Sequence, residues 1–118
     1  MTESQKATEA KRRNRSARSV RLPHSRQIAI FKALGDPHRF ELLTQIATAG
    51  CPLGCAKALA AIPISAATLS HHIKELETAG LIEVRREGKF AYLSLRPGVL
   101  ESVASILTGM EKAGDAGR

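Results

Sequence analysis

Aromatic residues are scarce in this chain, which has three Phe, one Tyr and no Trp among its 118 residues. The core must therefore consist mainly of Leu, Ile, Val and Ala, and so small a core is often completed by dimerisation. The shortage of aromatic rings also argues against a platform on which the bases of single-stranded nucleic acid stack.

Long apolar segments are absent as well. No run approaches the roughly 20 apolar residues that a membrane-spanning helix needs, and the N-terminus lacks the apolar region of a secretory signal. There is no phosphate-binding glycine loop and no pair of carboxylates that indicates an acid–base site, so we do not expect an enzyme. We expect a soluble, cytoplasmic protein with one folded domain and no membrane partner.

Positive charge is concentrated at the N-terminus. Residues 1–27 contain eight Lys or Arg and two Glu, a net charge of +6, which leaves +1 for residues 28–118 out of the total of +7. We predict a disordered basic arm over residues 1–26, whose natural partners are polyanions. A solubilising leader that binds nothing specific is the alternative. The candidate DNA-binding residues of the arm are Arg12, Arg13, Arg15 and Arg18.

Residues 65–80 are the most informative stretch. Leu69, Ile73 and Leu76 recur at the spacing of one helix face. Ser65 stands in the position of an N-cap, and Gly80 in that of a left-handed stop. The opposite face carries small, polar or cationic side chains, which can fit a DNA major groove. An ordinary amphipathic surface helix has the same pattern, so the neighbouring segments are needed to distinguish it from a DNA-recognition helix.

Three further helices are predicted before this stretch. The first, over residues 27–34, has an apolar side of Ile28, Phe31 and Leu34. The second begins with Asp36 as N-cap and Pro37 at the first helical position, and it ends at Gly50. Its apolar stripe consists of Phe40, Leu43, Ile46 and Ala47. The third covers residues 53–61, and the break at Pro63 separates it from residues 65–80, which gives a helix-turn-helix arrangement.

Beyond Gly80 the apolar period changes from 3.6 to 2, which predicts strands over residues 81–86 and 90–95. Gly88 lies in the connection between them, as a tight hairpin requires. A hairpin that follows a recognition helix is typical of a wing, whose cations reach phosphates or the minor groove. The cations of the predicted wing are Arg85, Arg86 and Lys89.

A last helix is predicted to start at Pro97 and to end at residue 112. Its apolar stripe is too broad for a small monomer to cover easily and consists of Val99, Leu100, Val103, Ile106, Leu107 and Met110. We infer a dimer interface formed by this helix and by residues 27–34, with packing inside one chain as the alternative. The predicted fold is mainly α with a β-hairpin (α+β). It is a winged helix-turn-helix domain over residues 27–112, followed by a frayed tail over residues 113–118.

Two segments resemble the ArsR/SmtB-type family of winged-helix transcriptional repressors. ALGDPHRFELL at residues 33–43 is similar to the family's opening motif, and SAATLSHHIKELETAGLI at residues 65–82 is similar to its recognition helix and exit. The wing sequence VRREGKFAYLSL is similar as well. The resemblance implies a homodimer that binds a palindromic operator in double-stranded DNA and releases it when an effector binds. A non-specific nucleoid or RNA-binding protein that uses the basic arm is the alternative.

By position, the resemblance turns four residues of the predicted recognition helix towards DNA: Thr68, Ser70, His71 and Lys74. The full candidate set on this helix also includes Ser65 and Ala67, which belong to the same small and polar face.

Metal-sensing members of the family place their ligands at positions that this chain reproduces only in part. The last helix has no His and only Glu101 and Glu111, so the family's zinc site at the dimer interface is not expected. Cys51 and Cys55 fall near the family's thiol position, but their C-x₃-C spacing differs from C-x-C. Arsenite, a zinc ion completed by a His or by the other chain, a reversible disulfide and a purely structural role all stay open.

The histidines offer no metal site that can be recognised from the sequence. His71 and His72 point about 100° apart on a helix, so they cannot chelate one ion together, and His72 is expected to pack beneath the exposed face. His24 and His38 are isolated in the sequence and are interpreted as non-ligands.

Overall fold

A computed structural model describes residues 21–116 of the chain. Residues 23–96 form one compact unit, and the segment that starts at Pro97 belongs to a second. In chain order the elements are α1 (His24–Leu34), α2 (Pro37–Thr48), β1 (Leu53–Gly54), α3 (Cys55–Ala61), α4 (Ala66–Thr78), β2 (Ile82–Glu87), β3 (Phe90–Leu95) and α5 (Val99–Ala116). The predicted mainly α architecture with a β wing is confirmed. The predicted arm residues Arg12, Arg13, Arg15 and Arg18 lie outside the described residues.

Helix α1 begins at His24, three residues before the predicted start at Gln27. Pro23 precedes it as the N-cap residue, with φ −59° and ψ 154°, so residues 24–26, which were assigned to the arm, belong to the helix. The helix buries Ile30 and Ala33, whereas Ile28 and Phe31 are 43% and 37% exposed. Two residues of the predicted apolar side of α1, Ile28 and Phe31, are therefore largely uncovered, whereas the third, Leu34, is half-buried.

Helix α2 begins as predicted. The Asp36 carboxylate accepts hydrogen bonds from the backbone N–H groups of His38 and Arg39 at 2.9 and 3.0 Å, and Pro37 occupies the first turn. The prediction that Phe40 belongs to the core is wrong, because this ring is 58% exposed. The buried residues of α2 are Leu42, Leu43 and Ile46. Phe40 lies about 200° around the helix from Leu42, so it faces the solvent side.

The sheet has three antiparallel strands in the order β1-β3-β2, so the prediction of a two-stranded hairpin was incomplete. Leu53 pairs with Leu93 and Gly54 with Tyr92. These two residues were predicted to open the third helix, which instead begins at Cys55. Leu53 and Gly54 form a strand because the edge of β3 that does not pair with β2 has backbone groups free for hydrogen bonds. In this pairing the Leu53 side chain is buried, at 7% exposure.

The largest fully buried side chains of the first unit come from four of its elements and from one connecting segment. These residues are Ile30, Leu42, Leu76, Leu81 and Leu93. They come from α1, α2, α4, the segment before β2 and β3, respectively. Because all five are aliphatic, the core is the Leu- and Ile-rich one that the shortage of aromatic residues predicted.

Helix α5 starts at Val99, two residues after the predicted Pro97, and it continues to Ala116. The predicted frayed tail is therefore helical over residues 113–116, a stretch that contains Ala113 and Ala116, the residue type with the highest helix propensity. Leu107 and Met110 on this helix are 49% and 65% exposed. Within residues 21–116, no helix combines the length and the apolar character needed to cross a membrane.

Helix α4 ends in a Schellman motif, as Gly80 predicted. The N–H of Gly80 donates to the carbonyl of Glu77 and the N–H of Leu81 to the carbonyl of Leu76, both at 3.0 Å. Gly80 has a φ of +82°, a left-handed conformation that side chains with a Cβ disfavour. This turn sets the direction in which the chain leaves α4 and enters β2.

Gly80→Ala is expected to lower the free energy of unfolding by about 1–2 kcal/mol, because an L-residue loses roughly that much in the left-handed region. An added Cβ would also meet the guanidinium of Arg26, whose Nη1 lies 3.5 Å from the carbonyl oxygen of Ala79. Urea denaturation followed by circular dichroism measures the loss.

The matched control for that substitution is Gly109→Ala. Gly109 lies inside α5, and nothing would come within 4 Å of an added Cβ. Alanine there is expected to raise the free energy of unfolding by about 0.5–1 kcal/mol, because glycine is unfavourable in a helix interior. Equal losses from the two substitutions would contradict the role of the left-handed turn.

Candidate nucleic-acid interface

The N-terminus of α4 is fixed by its cap. Ser65 Oγ accepts a hydrogen bond from the backbone N–H of Thr68 at 3.1 Å and donates one to Thr68 Oγ1 at 2.9 Å. Ser65 itself is extended, with φ −72° and ψ 160°. The cap confirms the predicted helix start and involves the side chains of two candidate DNA-binding residues.

The two faces of α4 differ as the sequence predicted. Leu69, Ile73 and Leu76 are 4%, 8% and 0% exposed and hold the helix against the core. The exposed side chains of the candidate set are Ser65, Ala67, Thr68, Ser70, His71 and Lys74. The structure therefore gathers all six candidates on the solvent side of one helix and its cap.

The turn between α3 and α4 is built around Ile62. Its side chain is 2% exposed, its backbone is extended, and its carbonyl accepts a hydrogen bond from Ile64 N–H at 2.8 Å. Pro63 follows directly and prevents Ile62 from continuing α3. The two helices with this buried turn form the helix-turn-helix that the sequence predicted.

The three wing cations are exposed but do not share one surface. Arg85 and Arg86 are neighbours in β2, so they point to opposite faces of the sheet. Arg85 Nε lies 3.3 Å from Glu87 Oε1, and its guanidinium lies 5.4 Å from the centre of the Tyr92 ring. Lys89 sits in the turn, with Nζ 5.5 Å from the centre of the Phe90 ring.

A cleft of about 380 Å³ lies between α4, the wing and the start of α3. It is lined by Cys55, Ser70, Lys74, Glu77 and Arg86, among others. Two cations from different elements, Lys74 and Arg86, thus face the same depression beside the exposed face of α4. This cleft could not be predicted from the sequence, because its walls come from segments far apart in the chain.

The two cysteines differ in their surroundings. Cys51 is exposed in the loop before β1, whereas Cys55 is half-buried as the first residue of α3. Burial raises the pKa of the Cys55 thiol, and the charge of Arg86 opposes that rise in part. A raised pKa lowers the fraction of reactive thiolate. Within residues 21–116, neither cysteine belongs to a group of three or more metal-ligating side chains.

His72 packs beneath the exposed face of α4, as predicted, and is 6% exposed. Its Nε2 lies 3.8 Å from Asp36 Oδ1, and its ring centre lies 6.2 Å from that of His38. Burial lowers the pKa of His72, although Asp36 opposes this effect. The pKa of the Asp36 carboxyl is lowered as well, and the largest cause is the hydrogen bond that it accepts from the backbone N–H of Arg39. His38 is isolated in the sequence but not in the fold, because α2 and α4 bring it to His72.

Known proteins match this arrangement in sequence. A family described as a helix-turn-helix domain matches residues 34–85. The arsenic resistance transcriptional regulator ArsR1 of Pseudomonas putida is 32% identical over 94 residues, which cover 76% of this chain and 73% of that protein. The transcriptional repressor SdpR of Bacillus subtilis is 30% identical over 86 residues, which cover 73% of this chain and 93% of that protein. The chain belongs to the ArsR family of helix-turn-helix transcriptional regulators.

Solved structures of ArsR-like proteins share the fold. The crystal structure of one ArsR family transcriptional regulator superposes with a TM-score of 0.72 at 19% identity, over 81% of this chain and 97% of that one. The homodimeric winged helix-turn-helix domain of a Mycobacterium bovis protein gives a TM-score of 0.57 at 21% identity, over 78% and 82% of the two chains. This ArsR-family chain is thus a winged helix-turn-helix, DNA-binding regulator of transcription.

Proposed function

We propose that this protein is a homodimeric repressor that binds a palindromic operator in double-stranded DNA and releases it when an effector binds. The observation that carries the proposal is the exposed polar face of α4, which is capped by Ser65 and lies beside a cationic wing. A helix-turn-helix places such a face in the major groove. The protein has no catalytic role in this proposal and acts in the cytoplasm, where chromosomal DNA lies.

The distribution of charge suggests which residues read bases and which neutralise phosphates. Helix α4 carries Lys74 against Glu75 and Glu77, so its net formal charge is −1 when its histidines are neutral. It therefore contributes little non-specific attraction to phosphates and reads base edges with Ser70, His71 and Lys74. Arg85, Arg86 and Lys89 of the wing, together with Arg12, Arg13, Arg15 and Arg18 of the arm, neutralise phosphates and supply most of the affinity.

Dimerisation is supported by large apolar side chains that are exposed on α1 and on α5. Ile28 and Phe31 on α1, and Leu107 and Met110 on α5, are all more than a third exposed. The two residues of each pair are three positions apart and so share one face of their helix, and grouped exposed apolar side chains are typical of a protein–protein interface. A second copy is the partner that a palindromic operator requires, because two-fold protein symmetry matches two half-sites.

The effector belongs to one of two chemical classes in this proposal: a thiol-reactive compound, or a metal or metalloid ion such as arsenite or zinc. Cys51 is exposed and Cys55 lines the cleft beside Lys74 and Arg86, so a ligand that reached Cys55 would lie between the recognition helix and the wing. A change at that place would alter how both elements meet DNA.

The test is a nuclease footprint on the DNA next to the protein's own gene. We expect protection of one palindrome whose half-sites are separated by about 34–36 Å, one turn of B-DNA. An excess of random duplex should not remove the footprint at moderate salt, because specific binding is typically about 10³-fold or more tighter than non-specific binding. Uniform protection without a preferred site would instead support the alternative, a non-specific nucleic-acid-binding protein that uses its basic arm.

A further inference from the structure

Three potential metal ligands meet where the N-terminus of α2 approaches α4. They are the Asp36 carboxylate, the His38 imidazole and the His72 imidazole, and one ligand atom from each lies within 4.8 Å of the other two. Asp36 and His38 flank Pro37 at the start of α2, and His72 comes from the middle of α4. The cluster thus joins two helices that are far apart in the sequence.

His72 is the member of the cluster that calls for an explanation. It is 6% exposed, and its Nδ1 atom is buried without a hydrogen-bond partner. Its Nε2 atom lies 3.8 Å from Asp36 Oδ1, which is longer than a hydrogen bond. Buried polar atoms are almost always paired, so a buried imidazole without a hydrogen bond is unusual. The two ring nitrogens point in different directions, and the Nε2 atom, which faces Asp36, is the one that an ion in the cluster would meet.

The other two members have ligand atoms left for an ion. Asp36 Oδ1 accepts the N–H groups of His38 and Arg39, and a carboxylate has a second oxygen with lone pairs of its own. The Arg39 side chain donates to the carbonyls of Ala33 and Lys32, so its hydrogen bonds do not occupy that carboxylate. His38 is exposed, which leaves its imidazole room to rotate.

We propose that Asp36, His38 and His72 bind one divalent transition-metal ion, such as Zn²⁺ or Co²⁺, with water as the remaining ligand. Two imidazoles and one carboxylate are a ligand set that these ions accept, and three protein ligands leave a position open. With metal–ligand bonds of about 2.0–2.1 Å, tetrahedral ligands lie roughly 3.3 Å apart. The cluster, at up to 4.8 Å, must therefore contract by roughly 1.5 Å.

The site would tie the start of α2 to the recognition helix. His72 is the direct neighbour of His71, which lies on the exposed face of α4. An ion at this place therefore changes the position of that face relative to the rest of the helix-turn-helix, and with it the affinity for the operator. This consequence, unlike the metal site itself, rests on the proposed function.

The experiment is a titration of the EDTA-stripped full chain with Co²⁺, followed by visible absorption and by calorimetry, in the absence of DNA. We expect one Co²⁺ per chain, displacement by Zn²⁺, and a Tm that rises with metal. His38→Gln, an exposed position that the fold tolerates, is expected to weaken binding at least about tenfold and to abolish the rise in Tm.

The matched control is His24→Gln, an exposed histidine on α1 outside the cluster, which is expected to bind Co²⁺ like the wild type. Cys51→Ser and Cys55→Ser are also expected to leave binding unchanged. Failure to bind Co²⁺, equal binding by His38→Gln, or a thiolate-to-cobalt absorption band lost in the cysteine variants would each overturn the site. Because no DNA is present, a missing operator footprint leaves this result unaffected, and the absence of metal binding leaves the operator proposal intact.

Discussion

Replacing Leu76 with alanine is expected to lower the free energy of unfolding by about 2–5 kcal/mol. Leu76 is the fully buried residue of α4, at 0% exposure, and it packs in the core that elements from α1 to β3 form together. Removing its isobutyl group takes away apolar contact area and leaves a cavity, and both effects favour unfolding. Denaturation in urea measures the change from the shift in midpoint at constant slope.

A variant that conserves side-chain volume distinguishes the effect of the cavity from the effect of replacing leucine as such. Leu76→Met keeps most of the side-chain volume and is expected to lose less than about 1.5 kcal/mol. Thr78→Ala, an exposed position on the same helix, should change the free energy by no more than about 0.5 kcal/mol. A loss below about 1 kcal/mol for Leu76→Ala would show that α4 is not anchored through this side chain.

Lys74→Ala is expected to weaken operator binding about 5- to 150-fold, while binding to a random duplex falls much less. Lys74 is the exposed cation on the face of α4 that we propose reads bases, and one good base contact by lysine contributes about 1–3 kcal/mol of discrimination. Fluorescence anisotropy with both DNAs at one fixed salt concentration measures the two dissociation constants.

The dependence on salt distinguishes a base contact from a phosphate contact. If Lys74 reads a base, the slope of log K against log salt stays nearly unchanged, whereas loss of a phosphate contact reduces it by about 0.9. Lys112→Ala removes the same charge from α5 and serves as the control for net charge. Equal losses on operator and random DNA would remove Lys74 from base reading.

The signals that allowed prediction from the sequence are local ones. The cap at Asp36, the cap at Ser65 and the left-handed stop at Gly80 each satisfy backbone groups within a few residues, so a short segment suffices to recognise them. The change of the apolar period from 3.6 to 2 after Gly80 likewise predicted β2 and β3 without knowledge of which strands pair. These features, with the family resemblance, determined the winged helix-turn-helix and the polar face of α4.

Features that depend on distant partners were missed or mistaken. Leu53 and Gly54 carry no strand signal of their own and become a strand only because β3 has an edge to pair with. Phe40 has the apolar side chain of a core residue and was assigned to the core. The elements that pack on α2 cover the face that carries Leu42, and the face that carries Phe40 stays exposed. Arg85 and Arg86 are adjacent in the sequence, and only the pleated strand separates them onto two faces.

The sequence by itself therefore determined the capped starts of α2 and α4, the end of α4 at Gly80 and the residues on the exposed face of α4, because hydrogen bonds at helix ends and side-chain periodicity act over one or two turns. Only the tertiary structure decided that Asp36, His38 and His72 meet, and that Lys74 and Arg86 share a cleft. Such meetings depend on how helices and strands pack, and packing is set by the whole core rather than by any one segment.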